Sequence, residues 1–410
     1  MPMLQGSIMS ELYQLPDGWE WKKLSDIGKI STGKTPSKSN KEFYENGMIR
    51  FVKPPNLQNS IEIKKTEADE FITENGAKKS TLLPKNSLMV CCIGSLGKFA
   101  LSTENVITNQ QINTIIFNDG LINYKYGYYY GFMFEKLLNE VANEAVVKIV
   151  NKTIFSNLDI PLPPLPEQQH IVTKLDALFE KIDKAIALHV KNMEEADSFM
   201  ASVLNEVFSE LEEKYGKVTL NSMANFQNGF AFKSNEFNSN GDGLQVIRIG
   251  NVLDLNKNQV YIDERREFEK YLLKANDIVI SMTGTRGKMD YLFVRVVNEE
   301  SCYLNQRVGK ISNKNNAHFK YLYYFLQSNI FRDQIFQYET GTVNQGNISS
   351  KDIMNQNIPN SPLPIQQKVV TYLDDLSSKI EHVKKVQKEK MESLKALKAS
   401  ILDSAFRGEL

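Results

Sequence analysis

The chain has 410 residues, 41% hydrophobic and 24% charged, and its 49 basic and 49 acidic side chains cancel to a formal net charge of zero; this length and composition predict two or three globular units. No run of about 18 uncharged apolar residues occurs, so no membrane-spanning helix is expected, and the opening MPMLQGSIMSELYQ has neither the basic stretch nor the apolar core of a secretory signal. Zero net charge argues mildly against a nucleic-acid partner, although the distribution of charge decides this more than its sum.

Met9 offers an alternative start, which would make residues 1–8 dispensable. After GWEWKKLSDIGKISTGKTP (18–36), short apolar strings alternate with polar loops. IRFV (49–52), SLMVCCI (87–93) and INTIIF (112–117) read as strands, and YKYGYYYGFMFEKLL (124–138) as an aromatic helix. Aromatic rings can stack bases, but an apolar stripe at helical spacing predicts core. Cys91, Cys92 and Cys302 are expected to be buried free thiols, which fit a reducing cytoplasm. With no C-x-x-C pair and no clustered histidine, no structural zinc site is expected.

The string IPLPPLPEQQHIV (160–172) then opens a long helix, with Pro166 suited to the first helical position. Ile171, Leu175, Leu178, Ile182, Ala185, His189, Asn192, Ala196, Phe199 and Val203 alternate steps of four and three, as the a and d positions of a coiled coil do. A second set of strand candidates follows: QVIRI (245–249), DIVISM (277–282) and VGKI (308–311), with an aromatic helix FKYLYYFLQ (319–327). IPNSPLPIQQKVV (358–370) opens a second long helix, in which Leu373, Leu376, Ile380, Val383, Gln387, Lys390, Leu394, Leu397 and Ile401 repeat the coiled-coil spacing.

These parallels are an internal repeat. IPLPPLPEQQHIV and IPNSPLPIQQKVV share eight of thirteen residues at an offset of 198, and ASVLNEVF (201–208) meets ASILDSAF (399–406) at the same offset. Upstream the match is looser. Gly33 corresponds to Gly229, Ile49-Arg50 to Ile247-Arg248, LLPKNSLMVCCIGSLGK (82–98) to LLKANDIVISMTGTRGK (272–288), and Asn109-Gln110 to Asn305-Gln306. The chain therefore reads as an N-terminal segment (1–17), a globular unit (18–163), a helix (164–214), a second globular unit (215–362) and a second helix (363–410). The fold class is strand-rich α+β.

Residues 166–214 carry a net charge of −6 and residues 364–410 of +2, which favours pairing of the two helices and leaves +4 for the rest. About 40 residues at ~1.5 Å each give a rod of roughly 60 Å. An antiparallel pair relates the units by a pseudo-two-fold axis; a parallel pair places both at one end. Periodicity does not choose between them. His189 and Asn192 align with Gln387 and Lys390, and such polar seam residues can fix register.

The loops carry the chemistry. Gly94-Ser95-Leu96-Gly97-Lys98 and Gly284-Thr285-Arg286-Gly287-Lys288 each follow a strand candidate, and their glycines would let backbone N–H groups approach a phosphate. Amide and guanidinium groups that can read base edges come from Asn109, Gln110 and Gln111, from Asn305, Gln306 and Arg307, from Lys53 and Asn56, from Arg248 and Asn251, and from Thr342, Asn344 and Gln345. Gly33 with Lys34, and Gly229, join these candidates. Enzymatic constellations fail. The G-x-x-G-K strings lack the spacing and following Ser/Thr of a nucleotide loop, since Phe99 and Met289 follow the lysines. Asp17 and Glu20 lie too close in sequence for a two-carboxylate metal site and lack a repeat counterpart. Lys53-Pro54-Pro55-Asn56 lacks the leading Asn or Asp and the aromatic residue of an amino-methyltransferase motif. No general-acid/base set emerges.

The order of unit, helix, unit and helix, with IPLPPLPEQQHIV, ASILDSAFRGEL and GWEWKKLSDIGKISTGKTP, resembles the specificity (S) subunit of type I restriction–modification systems over nearly the whole chain. The resemblance implies two target recognition domains, each reading half of a split double-stranded DNA site. It implies two long antiparallel helices, paired as a coiled coil, that set the spacer and bind two methyltransferase subunits, with motor-nuclease subunits as further partners. It further implies a cytoplasmic, non-catalytic chain with no cofactor of its own: S-adenosylmethionine, ATP and Mg²⁺ belong to the partners. The rival reading is a specificity-like subunit of another methyltransferase-based defence system, or of an orphan methyltransferase.

Overall fold

A computed structural model describes residues 13–66, 69–142, 148–298, 301–342 and 344–410; Met9 and the residues before it lie outside them. The chain divides into two compact units, residues 1–187 with 391–410 and residues 188–390. Two long helices, Leu165–Tyr215 and Leu363–Arg407, contribute to both. The division thus differs from a sequence boundary at the Pro-rich strings, because each half of each helix packs into the core beside it.

In unit 1 a four-stranded antiparallel sheet runs Gly28–Thr32, Ile112–Phe117, Leu88–Cys91, Phe99–Leu101. A three-stranded sheet has Ile49–Val52 between antiparallel Glu70–Ile72 and parallel Val106–Thr108. The apolar run Leu88–Cys91 is buried on both faces, which explains why it does not alternate with polar residues. Its period of two divides it between two cores. Leu88, Val90 and Cys92 join the aromatic helices, while Met89 and Cys91 join Val52, Leu57 and Val106. The vicinal cysteines therefore point to opposite sides, and burial pushes the Cys92 thiol up to about 12.

Unit 2 repeats this plan. Ala224–Asn228, Val308–Asn313, Ile278–Ser281 and Val294–Val296 form the antiparallel sheet, and Leu244–Ile247 lies between Tyr261–Ile262 and parallel Cys302–Leu304. One further sheet joins Thr283–Gly284 to the hairpin Thr340–Thr342/Gln345–Asn347.

The aromatic stripes are core, as their spacing predicts. Tyr126 and Tyr130 pack edge-on against Phe406 at 5.3 and 5.1 Å. In unit 2 Phe208, which aligns with Phe406, packs on Tyr321 and Phe325. Tyr129 and Lys125 both donate to Asp176, and Tyr324 and Lys320 both donate to Asp374, so each aromatic helix is tied to a long helix in the same way.

Within each unit the long helices run antiparallel. In unit 1 Lys398 pairs with Asp183 and lies over the Phe179 ring at 4.3 Å, while Phe179 shares its core with Leu402 and Phe406. In unit 2 Lys384 pairs with Asp197, and His189 hydrogen-bonds Gln387 across the seam. The seam differs from the heptad reading. Ile171, Leu175, Ile182, Val203, Leu373 and Ile380 are buried and Leu178, Leu376, Gln387, Leu394 and Ile401 half-buried, but Asn192, Phe199, Val383, Lys390 and Leu397 are exposed. Their neighbours Met193, Lys384, Met391 and Lys398 turn inward instead. Lys384 and Lys398 cover apolar surface with their stems, so their charge hides them from the pattern, whereas at 192 and 390 the heptad spacing seats polar residues one position before Met193 and Met391.

Candidate nucleic-acid interface

In each unit backbone hydrogen bonds fix the loop that follows the parallel strand pair. In unit 1 the Asn109 N–H donates to Val52 O, Ile112 to Asn109 O, Gly33 to Ile112 O and Cys92 to Gln111 O. In unit 2 Asn305 donates to Ile247 O, Val308 to Asn305 O, Gly229 to Val308 O and Met282 to Arg307 O. Gly33 and Gly229 permit this. A Cβ on Gly33 would stand 2.3 Å from Asn109 O, and one on Gly229 2.0 Å from Asn305 O. These glycines hold the loop by close approach, so their part in any interface is to position Asn109–Gln111 and Asn305–Arg307.

Strand register corrects one repeat equivalence. Val52 pairs with Thr108, just before Asn109, and Ile247 pairs with Leu304, just before Asn305. Arg248 therefore corresponds to Lys53, and not to Arg50 as the shared Ile-Arg string suggests; a two-residue identity cannot carry register across loops of unequal length. Arg50 is buried and paired with Asp69.

Lys53 and Arg248 each precede a short helix, of which Asn56 and Asn251 are the third residues. Their side-chain oxygens accept the N–H of Lys53 (2.9 Å) and of Arg248 (3.1 Å). The Asn56 amide donates to Lys64 O and Asp69, and the Asn251 amide to Leu255 O and Lys257 O. Asn56 is 4% exposed and Asn251 0%. The base-edge role expected of these two asparagines is corrected, because both ends of each amide are committed inside the chain.

The glycine loops require a second correction. The N–H groups of Gly94, Leu96 and Gly97 donate to Lys148 O, Gly94 O and Cys91 O. Gly97 is also pressed on the Glu135 backbone, where a Cβ would lie 2.3 Å from Cα. In unit 2 the Thr285 N–H donates to Asp290 (2.7 Å) and the Gly287 N–H to Glu339 (2.9 Å), with Gly284 packed against Asp290 and Tyr291. Side-chain and backbone hydrogen bonds from Thr285 hold the Asp290 carboxyl below its ordinary range. Carboxylates thus stand where a phosphate would have to bind these two amides. What these loops present outward is side chains: exposed Ser95 and Lys98, and exposed Arg286 and Lys288, with Arg286 bonded to Gly341 O.

The remaining candidates differ between units. In unit 1 Lys34 is exposed, Gln110 accepts from Thr35 Oγ1 (2.7 Å), and the Asn109 amide donates to Gln111 Oε1 (2.9 Å). Lys53 pairs with Glu70, which Lys38 also reaches; although burial raises it, their hydrogen bonds and charge carry the Glu70 carboxyl below its usual value. In unit 2 a hollow of about 340 Å³ is lined by Arg248, Ile249, Gly250, Asn251, Lys257, Asn258, Asn305 and Arg307. A neighbouring hollow of about 310 Å³ lies on the other side of Arg307, between Met282, Thr283, Gln306, Asn347 and Ile348. Thr342 and Gln345 sit on the hairpin strands, and exposed Asn344 at its turn.

Lys257, Asn258, Thr283 and Asn347 are additions that motif spacing did not single out. The one local signal is Asn258, whose φ of +49° marks a turn that asparagine tolerates. Among the described residues no group of three His, Cys, Asp or Glu could hold a metal ion, and no helix is long and apolar enough to cross a membrane.

Comparison with known proteins converges on one family. Residues 16–192 and 212–391 match the type I restriction modification DNA specificity domain. The chain is 41% identical over 105 residues to the type I restriction enzyme HindI specificity subunit of Haemophilus influenzae, a match covering 26% of this chain and 23% of that one. It is 26% identical to the MjaVIII specificity subunit of Methanocaldococcus jannaschii over 93% of this chain and 91% of that one. Two solved structures share the fold. One is a chain from a type I R-M system studied for complex assembly and conformational transition (21% identity, TM-score 0.72, covering 97% and 100%). The other is the HsdS subunit from Thermoanaerobacter tengcongensis (21% identity, TM-score 0.50, covering 97% and 99%). With two copies of the domain matched over most of its length, the chain belongs to the type I restriction modification DNA specificity family.

Proposed function

We propose that the chain is the sequence-reading subunit of a type I restriction–modification complex. Each unit reads one half of a bipartite double-stranded DNA site, and the chain itself catalyses nothing. The long helices set the distance between half-sites and dock two methyltransferase subunits; motor-nuclease subunits complete a restricting complex. S-adenosylmethionine, ATP and Mg²⁺ are held by those partners, and the assembly works in the cytoplasm. The observation that carries this reading is the duplicated loop scaffold. Two units hold Asn109–Gln111 and Asn305–Arg307 by the same set of backbone bonds against the same glycine. A repeated frame whose tip differs at one position, Gln111 against Arg307, suits two different half-sites, and linking two weak contacts multiplies affinity.

Exposed apolar side chains on the long helices support docking. Leu188, Phe199 and Val383 in unit 2 and Leu397 in unit 1 are all more than two-fifths exposed, and such surface is expected to be covered by a partner.

The test is methylation mapping of the chain co-expressed with its methyltransferase. Replacing residues 18–163 with the corresponding segment of a relative is expected to change one half of the methylated motif and leave the other half intact. A change in both halves overturns modular reading.

A further inference from the structure

We propose that the hollow of unit 2 bounded by Arg248, Lys257 and Arg307 is a guanine-binding subsite, so that the half-site read by unit 2 contains a guanine selected by these arginines. The inference rests on the DNA-reading function proposed above and deepens it at one place.

The case is a comparison of equivalent positions. Strand register sets Lys53 against Arg248, and the loop bonds set Gln111 against Arg307. In unit 1 both positions are satisfied internally: Lys53 by Glu70, and Gln111 by the amide of Asn109. In unit 2 no carboxylate among the described residues pairs with Arg248, Lys257 or Arg307. Arg248 bonds only the carbonyl of Asn258 with its guanidinium, and the Arg307 side chain is exposed at the mouth of the hollow. Three positive groups thus converge on one concave surface that has no anion of its own. The complement of that surface is a group rich in acceptors.

Two features favour a base edge over a backbone phosphate. Asn305 and Asn258 line the hollow together with the two arginines, and such a polar lining suits the planar edge of a base. Arg307 is also held in place from behind: its carbonyl accepts from Met282 and its neighbours Gln306 and Val308 donate to Phe230 O and Asn305 O. A guanidinium on a fixed backbone can meet guanine O6 and N7 with two parallel hydrogen bonds, whereas nonspecific phosphate attraction needs no such fixation.

The experiment uses the chain in complex with its methyltransferase subunits. Arg307→Gln supplies the residue that unit 1 has, at an exposed position; Arg248→Gln is its companion. Methylated motifs are mapped, and binding to duplexes differing at single positions is measured across a salt series. The half-site belonging to unit 2 is the one that changes when residues 215–362 are exchanged. The expected result is that wild type requires guanine at one position of that half-site, and that Arg307→Gln lowers the preference for it by roughly 5- to 150-fold. The other half-site stays unchanged. A uniform loss across all duplexes with a shallower salt dependence identifies a phosphate contact and overturns the proposal. So does an unaltered motif with unaltered affinity. If the wild-type complex itself shows no preferred motif, the failure lies in the DNA-reading function and not in the subsite.

Discussion

Asp176 and Asp374 show how far single residues repeat: each accepts from one lysine and one tyrosine of an aromatic helix packed beside it. At this scale burial also sets a pH response. Burial pushes the hydroxyls of Tyr128 and Tyr321 up to about 12, and that of Tyr13 likewise, despite the Arg407 charge beside it. A tyrosine in an unfolded chain ionises near about 10, so the folded state holds these protons more tightly. Their contribution to stability is complete below about pH 10 and is lost as the pH rises toward 12. Urea midpoints measured at pH 8, 10 and 11.5 should fall over the last interval; a flat series would contradict the burial of these hydroxyls. A second expectation concerns Gly33. Gly33→Ala forces a methyl group onto Asn109 O and Thr108, costing about 1–3 kcal/mol in thermal unfolding and disturbing the loop that presents Gln110 and Gln111. The equivalence of Asn109 and Asn305 as loop positions was legible from the repeat. The burial of Asn56 and Asn251 was not, because their amides are taken up by the chain that follows, Lys64 O and the Asp69 carboxylate for Asn56 and Leu255 O and Lys257 O for Asn251, and no residue pattern announces those bonds.

Among elements, strands were easiest to read, since IRFV, INTIIF, DIVISM and their counterparts combine β-branched residues with flanking turns. Both long helices were equally plain. Which residues of the helices face the seam was not, since Lys384 and Lys398 look polar in the sequence and the strict heptad spacing falls one residue short of Met193 and Met391. The consequence can be measured. Lys398 spans Asp183 and the Phe179 ring, whereas its neighbour Leu397 is 49% exposed. In the chain without partners, Lys398→Ala is expected to lower stability by about 1 kcal/mol, through a cation–π contact and a largely exposed ion pair. Leu397→Ser should stay within about 0.5 kcal/mol, as surface substitutions do. The opposite ranking in thermal denaturation would restore the seam that apolar spacing alone suggests. In the assembled complex the order should change: Phe199→Glu, at an exposed site of the central helix, is expected to weaken methyltransferase co-purification while leaving the melting of the free chain unaltered.

The whole molecule is a duplication in which unit 1 is built from both ends of the chain. Tyr13 donates to Phe406 O, Arg407 lies over the Tyr13 ring, and Leu402, Ala405 and Phe406 complete the core of unit 1. The duplication was legible in the repeated strings, but this closure was not, since nothing local to ASILDSAFRGEL names the unit it joins. Removing residues 391–410 takes out several core side chains at about 2–5 kcal/mol for each large one, enough to exceed a typical domain stability of about 5–15 kcal/mol. Hydrogen exchange on that truncated chain should show unit 1 unprotected and unit 2 intact; protection in both would refute the division. The same closure governs birth on the ribosome. Unit 2 is one uninterrupted stretch and has all its parts once residue 390 emerges, whereas unit 1 waits for residues 391–410 before its apolar interior can be sealed. Folding of unit 1 thus finishes only after unit 2 has all its parts, the reverse of the customary N-terminal-first order.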